Sequence, residues 1–540
     1  MSKFYLTTAI DYSNGEPHLG HALEKVGADC IARYRRLRGD DVHFLMGMDE
    51  HSQSVIQAAA RAGIAPQAWV DRMADTFAGY WRRLQCSNDD WIRTTERRHA
   101  RAVTALLQRI QERRPGDLFE AEYEGLYCTG CEEFKTGGQI VDGHCVEHPT
   151  LELIPTKERN HFFRLSAYRD TVLERIGSGA LAVEPEIRRN EVVRLLEAGL
   201  QDISISRQRQ PWGIPFPGDA DQTVYVWFDA LINYLSATGF PDAGYERLWP
   251  ADLHVIGKGI TRFHCVIWPA MLLAAELPPP RAVWAHGYVQ WSGAKLSKTA
   301  GTAVSLDEAI ERHGADALRY FLLREVGFDH DGDFTWERFD ARYTADLADT
   351  LGNLVKRSLD MIHRYRAGVV PHGSESPGAP SAAAQRAPAA SGAPGDPLED
   401  AVRECVVAYQ GAMDGNHLDA GAVQCLELAA RANRYIQETA PWELAKAGAA
   451  RSAALDGALA GLARTVARLA VLSQPFLPAT SETIWGLFST VPSLPPLPPL
   501  PPLAHVRLKD LATLDVSGRR VAKPPILFPK PRPGAIPSGA

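Results

Sequence analysis

The first sixty residues alternate between two hydrophobic periods, and that alternation confines the chain to one type of architecture. "KFYLTTAI" (3–10) is a short apolar run rich in β-type residues, and "DYSNGEP" (11–17) has the composition of a turn. Helical apolar spacing then runs from about His18 to Leu37. "DDVHFLMGMDEH" is a second apolar strand that ends in charge, and Ser54 to Ala62 resumes helical spacing. Strand, helix, strand, helix predicts an α/β fold on a parallel sheet, whose ligands sit at the carboxyl ends of the strands. His18 and Asp49 both fall at such ends.

A chain of 540 residues exceeds the roughly 250 at which one core stops growing, so at least two domains are expected. From about Leu118 the texture changes to short strands, turns and cysteines. It returns to α/β at "QTVYVWFDALINYLSA" and "DLHVIGKGITRFHCVIWPAML", and becomes mostly helical after Asp316. This predicts a sheet domain in two parts, 1–115 and 223–325, separated by an insertion at 116–222. A connecting region at 326–345 and a helical domain at 346–540 follow. Within the last, 371–397 is rich in Pro, Ala, Gly and Ser and has too few large apolar residues to order itself. "SLPPLPPLPPL" (493–503) is a polyproline II tract, read as a stiff surface spacer.

The chain is 45% hydrophobic and 23% charged, as in soluble globular proteins. Its formal net charge of -7 argues against non-specific nucleic-acid binding. The basic clusters Arg33, Arg35, Arg36, Arg38 and Arg188, Arg189, Arg194 read as solvated helix faces. No apolar run is long enough to span a membrane, and the start lacks the pattern of a signal peptide, so the cytoplasm is the expected address. Eight cysteines do not suggest a disulfide scaffold. Cys128-x-x-Cys131 and Cys145-x-x-His148 instead form two knuckles for one tetrahedral Zn2+. With four protein ligands and no open position, that ion would be structural.

Two further motifs point to phosphate chemistry. In "PHLGHALEKVGADC", His18 and His21 share a helix face at i, i+3, and Gly20 lets a flat group approach the backbone. The helix N-terminus adds N–H donors and partial positive charge. In "GAKLSKTAGTAVS", Lys295 and Lys298 bracket Ser297 on a loop flanked by Gly293 and Gly301. Two ammonium groups on such a loop suit a polyphosphate transition state. Each motif alone is weak, since surface histidines and lysines are usually solvated; together in one α/β chain they are strong.

With "HLGH" and "KLSKT" the sequence resembles class I aminoacyl-tRNA synthetases, and within them the methionyl-tRNA synthetase family. The likeness runs over nearly the whole chain, through "FLMGMDEH", "RTTERRHARAV", "YEGLYCTGCEEF", "DISISR", "PWGIPFPGD", "YVWFDALINY" and "DALRYFLLRE". It implies a Rossmann-like sheet split by a zinc-bearing connective insertion, a stem-contact region and an α-helical anticodon-binding domain. His18 and His21 would be catalytic with Lys295 and Lys298, and Gly20, Glu24, Ser297 and Thr299 would join them around ATP. Methionine would lie among Ala9, Ile10, Tyr12, Asp49, Trp227, Ala230, Tyr234, Ile260 and His264. Asn353, Arg357 and Trp442 would read a CAU anticodon by stacking and by bonds to base edges. The implied substrates are ATP with Mg2+, L-methionine and initiator and elongator tRNA, acting on a monomer.

Three departures stand out. Gly259 in "HVIGKGI" replaces an aspartate that the family commonly places near the ribose, which leaves Glu24 as a ribose partner. Asp11 stands where an uncharged residue is usual, and Thr302 replaces an Asn. The connective segment is too short for the editing insertion of the branched-chain enzymes, which keeps methionine ahead of those specificities. The intact anticodon residues argue against an enzyme with another acceptor, and the intact histidines and lysines against a non-catalytic paralogue.

Overall fold

The computed structural model describes residues 2–128, 130, 133–135, 137–146, 149–208, 210–291, 294–295, 304–373, 397–488 and 497–530. Packing divides the chain into two units, Ser2–Ala28 with Asp41–Tyr288, and Asp29–Asp40 with Val289–Ala540.

In the first unit, seven strands among the described residues form one sheet. They are β1 (Lys3–Thr8), β2 (Asp11–Tyr12), β3 (Asp41–Asp49), β4 (Asp90–Arg93), β5 (Ala182–Glu184), β6 (Leu253–Gly257) and β7 (Ala282–His286). Their order is β5-β7-β6-β1-β3-β2, with β4 also paired to β3. Every pairing is parallel, and Leu6 of β1 stands opposite Leu253 on one side and Phe44 on the other. A parallel sheet is covered on both faces, so its strands are apolar almost without interruption. Phe44, Leu45, Met46 and Met48 of β3 and Leu253, Val255 and Ile256 of β6 are buried accordingly.

Helix α1 (Leu19–Arg38) follows β1 and buries Leu19, Leu23, Val26, Cys30, Ile31 and Tyr34 at helical spacing. Arg35, Arg36 and Arg38 crowd its last turn, where the helix dipole favours positive charge. Gly39, with φ of 99°, ends it, and the N–H groups of Gly39 and Asp40 both return to the Arg35 carbonyl at 3.1 and 3.0 Å.

The insertion expected at 116–222 is partly outside the sheet. Strands Leu118–Cys128 and Ile154–Phe163 pair antiparallel from Leu118 opposite Phe163 to Tyr127 opposite Ile154. The same segment, however, sends β5 back to the edge of the main sheet, where Leu181 and Val183 enter its core. Three residues carry too little period to announce a strand. Val289–Trp291 has its own small sheet, pairing with Ala294–Lys295 and Gly332–Phe334.

The second unit is mainly helical, as expected. Its central helix, Ser452–Ser473, is buried at every residue from Ala458 onward, and Asn353–Arg366, Pro397–Asp414 and Leu418–Thr439 accompany it. Two of its buried arginines, Arg464 and Arg468, share Glu399 at 3.1 and 2.7 Å. Asp29 and Arg319 form a wholly buried ion pair at 2.7 Å, with Arg33 also on Asp29 and the Pro475 carbonyl also on Arg319. Of the tract 371–397, residues 374–396 lie outside the described residues. The polyproline tract is tied down where described: the Pro498 and Pro501 carbonyls accept from Arg519 and Trp485 at 2.8 and 3.0 Å. No helix among the described residues is long and apolar enough to cross a membrane.

Replacing Arg319 by Met removes one guanidinium from the buried Asp29 carboxylate. Loss of one partner of a buried pair costs about 3–5 kcal/mol. Guanidinium unfolding of Arg319→Met is expected to show a destabilisation of that order.

Candidate active site

The loops that leave β1, β3, β6 and β7 line one cavity of about 610 Å³ at the carboxyl ends of the strands. In an open parallel sheet this is where the helix connections part and leave a crevice. Ala9, Ile10, Tyr12, His18, Gly20, His21, Glu24 and Asp49 all face it from the first part of the chain. Trp227, Ala230, Tyr234, Ile260 and His264 face it from the second. Thirteen residues singled out in the sequence for methionine or ATP are thus brought together by the fold.

His18 and His21 sit at the mouth of α1 with ring centroids 3.9 Å apart. The His18 N–H donates to His21 Nδ1 at 3.2 Å, and the Gly20 N–H donates to His18 Nδ1 at 3.1 Å. The two rings therefore cap the helix that carries them. A nitrogen that accepts holds no proton, so each neutral ring keeps its hydrogen on Nε2. Gly20 leaves room for this arrangement: a Cβ there would stand 3.0 Å from His18 Cε1 and 3.1 Å from Nδ1, tight enough that the ring would have to shift.

An aromatic wall occupies another side. Tyr12 stacks on Trp227 at 5.9 Å, and Trp227 on Phe263 at 4.3 Å. His264 lies on a π-helical turn, Phe263–Ile267, which follows the loop after β6. Its Nδ1–H donates to the Ile260 carbonyl at 3.0 Å, so Nε2 accepts from the Tyr234 hydroxyl at 2.7 Å. Burial lowers the His264 pKa to about 4, which keeps the imidazole neutral at pH 7. A neutral, polarisable wall suits an apolar or thioether side chain better than a charged one.

Helix Val226–Leu231, which carries Trp227 and Ala230, is anchored from behind. Asp229 takes His51 Nδ1 at 2.8 Å and His99 Nε2 at 2.6 Å, and His99 Nδ1 meets the Ser236 hydroxyl at 2.9 Å. Burial alone would raise the Asp229 pKa, but His99 and His51 outweigh it and hold the carboxylate low.

Below the cavity lies a charge network that the sequence only hinted at. Lys25 is buried and reaches the Ala9 carbonyl at 2.7 Å, Asp11 at 2.8 Å and Glu24 at 2.7 Å. Glu24 continues to His286 Nε2 at 3.2 Å. One lysine faces two carboxylates, and the two diverge. Burial raises Asp11 to about 7 against the pull of Lys25, whereas at Glu24 the pull of Lys25 and the His286 hydrogen bond overcome burial and hold it at about 2. A lysine inside the apolar period of "HALEKVGADC" was the available signal; His286 had none.

The remaining expected site residues are outside this cavity's lining or outside the described residues. Of the expected zinc ligands, Cys128 and Cys145 are buried, and Cys131 and His148 lie outside the described residues. Among the described residues no group of three or more His, Cys, Asp or Glu side chains is arranged to hold a metal ion. Lys295 is described as backbone only, paired opposite Gln290, and Ser297, Lys298, Thr299 and Thr302 lie outside the described residues. In the helical unit, Asn353 and Arg357 line a cavity of about 350 Å³ together with Asn433, Arg434 and Gln437. Asn433 donates to the Thr350 carbonyl at 3.0 Å. Those three were missed, although "NRYIQ" places polar groups on one helix face. Trp442, half-buried on helix Pro441–Lys446, is not in that lining.

A parallel sheet with a histidine-capped helix mouth and a cavity at its switch point defines a nucleotide-binding α/β enzyme. Comparison with known proteins narrows this. The sequence model described as tRNA synthetases class I (M) matches residues 4–152 and 148–359, and that of the anticodon binding domain of methionyl tRNA ligase matches 387–530. The methionine–tRNA ligase of Thermotoga maritima is 40% identical over 489 residues, covering 89% of this chain and 75% of its own length. That of Streptomyces coelicolor is 37% identical over 546 residues, covering 98% and 96%. The Mycobacterium tuberculosis methionyl-tRNA synthetase in complex with methionyl-adenylate superposes with a TM-score of 0.87 at 36% identity, covering 98% of this chain and all of that one. The chain belongs to the methionyl-tRNA synthetases of class I.

The Asp11 pKa supplies a test of the network. In the fold Asp11 titrates near 7 rather than 3.8, so the folded state binds the extra proton. Its stabilisation is complete below the unfolded value and is lost as pH rises through about 7. Asp11→Asn removes the titration, so its melting temperature relative to the parent protein is expected to rise between pH 5 and pH 8.

Proposed function

We propose that this cavity joins L-methionine to ATP and that the activated methionine passes to tRNA. The carrying observation is the convergence of the aromatic wall, Asp49 and the paired histidines on one cavity. The chain is a methionine–tRNA ligase. In its first step a methionine carboxylate oxygen attacks the α-phosphorus of ATP, and pyrophosphate leaves. In the second a terminal ribose hydroxyl of tRNA attacks the carbonyl carbon, and AMP leaves. No covalent enzyme intermediate is required, so the residues act by positioning and charge stabilisation.

The roles follow from chemistry. His18 and His21 direct Nε2–H donors and the helix N-terminus at the phosphates, over the backbone at Gly20. Asp49 receives the methionine ammonium with the backbone at Ile10, and Ala9, Tyr12, Trp227, Ala230, Tyr234, Ile260 and His264 enclose the side chain. Glu24 already engages both oxygens, so a ribose bond would use its remaining lone pairs. Lys295 and Lys298, with Ser297 and Thr299, supply positive charge to the departing pyrophosphate. Mg2+ arrives with ATP as the charge partner of its phosphates and needs no protein cage. Asn353, Arg357 and Trp442 read the CAU anticodon of initiator and elongator tRNA, with Asn433, Arg434 and Gln437 extending that surface. The protein acts in the cytoplasm as a monomer.

Cys128, Cys131, Cys145 and His148 form a donor set suited to one structural Zn2+, and the burial of the two described thiols favours it. The ion would hold an insertion too small to order itself.

Purified protein is expected to catalyse methionine-dependent pyrophosphate exchange and to charge CAU tRNA with labelled methionine. Exchange without charging would move the acyl group to another acceptor, and neither activity in folded protein would refute the reading. His21→Ala is expected to lower the exchange rate about 100-fold or more, with methionine binding, followed by tryptophan fluorescence, retained. Metal analysis is expected to find one zinc per chain, and Cys145→Ser to lose it.

A further inference from the structure

Adenylate formation needs the methionine carboxylate and the α-phosphorus at a set distance, and a misplacement of about 1 Å can cost on the order of 100-fold in rate. Two anchors define that distance, Asp49 for the ammonium and the mouth of α1 for the phosphates. One buried serine joins them. Ser13, on the turn between β2 and α1, is wholly buried. Its N–H and its hydroxyl both donate to the Asp49 carbonyl, at 3.1 and 2.8 Å. Its own carbonyl accepts the Trp69 indole N–H at 2.7 Å. The turn that leads to His18 is thus tied to the last residue of β3 on one side and to helix Pro66–Arg83 on the other.

That helix bears on the mouth of α1 a second time. Trp69, Met73 and Phe77 form one i, i+4, i+8 ridge, and the Phe77 ring meets His21 edge-on at 5.7 Å. Arg72 lies over the Trp69 ring, 4.6 Å from its centroid, and steadies the indole. We infer that Ser13 and Trp69 are positioning residues for adenylate formation: Ser13 fastens the ammonium anchor to the turn that carries the phosphate site, and Trp69 braces that turn from behind. This rests on the cavity being the methionine and ATP site. Neither residue is in the cavity lining, so neither holds a substrate. An N–H and an O–H converging on one carbonyl use both of its lone pairs and fix its direction as well as its distance. Each substrate keeps its own anchor when this joint loosens, so the loss falls on alignment, and therefore on kcat rather than on KM.

The test is single-turnover release of pyrophosphate at saturating ATP and methionine, with KM for each substrate taken from pyrophosphate exchange. It compares the full chain with Ser13→Ala, Trp69→Phe and the double variant, each checked for folding by circular dichroism. Trp69→Phe keeps an aromatic ring on the ridge and removes the N–H donor. Each single change is expected to lower the rate about 3- to 10-fold, the range of one hydrogen bond, with both KM values within about two-fold of the parent. The double variant should fall no more than about two-fold below the slower single, because the two bonds act in series. An unchanged rate in either single variant, or a rise in KM that accounts for the whole loss, would overturn the proposal. Fully multiplicative losses would overturn it too, since the two residues would then act independently. Absence of exchange in the parent protein would instead refute the cavity's assignment, and the positioning role with it.

Discussion

The active-site half of the molecule depends on one buried ammonium. Lys25, in the second turn of α1, is taken out of water at a cost of several kcal/mol, and three oxygens repay it: the Ala9 carbonyl, Asp11 and Glu24. Although burial works against its charge, Asp11 and Glu24 outweigh that effect and its pKa is raised. Because Ala9 and Asp11 leave β1 while Lys25 rides on α1, this one group fixes where the helix mouth points. The two histidines that cap the mouth inherit that direction, and with it the placement of their Nε2 donors.

The network then extends across the sheet. Glu24 passes from Lys25 to His286 at the end of β7, so α1 and β7 are joined beneath the cavity through one carboxylate. A second buried assembly, Asp229 between His51 and His99, does the same for the helix bearing Trp227. Both place charge behind the surface rather than on it. The aromatic wall of Tyr12, Trp227 and Phe263 is therefore neutral, while the charge behind it sets geometry.

How much of this could be read from the sequence follows from how local each feature is. The helix mouth, the strand ending at Asp49 and the aromatic wall are announced by nearby residues, and the parallel sheet by the alternation of periods. What escaped is non-local or short. Strand β5 is three residues whose partner is a distant strand. Asn433, Arg434 and Gln437 meet Asn353 and Arg357 only because two helices pack side by side. The pairing of Val289–Trp291 with Gly332–Phe334 joins segments some forty residues apart, which no pattern around residue 289 foretells.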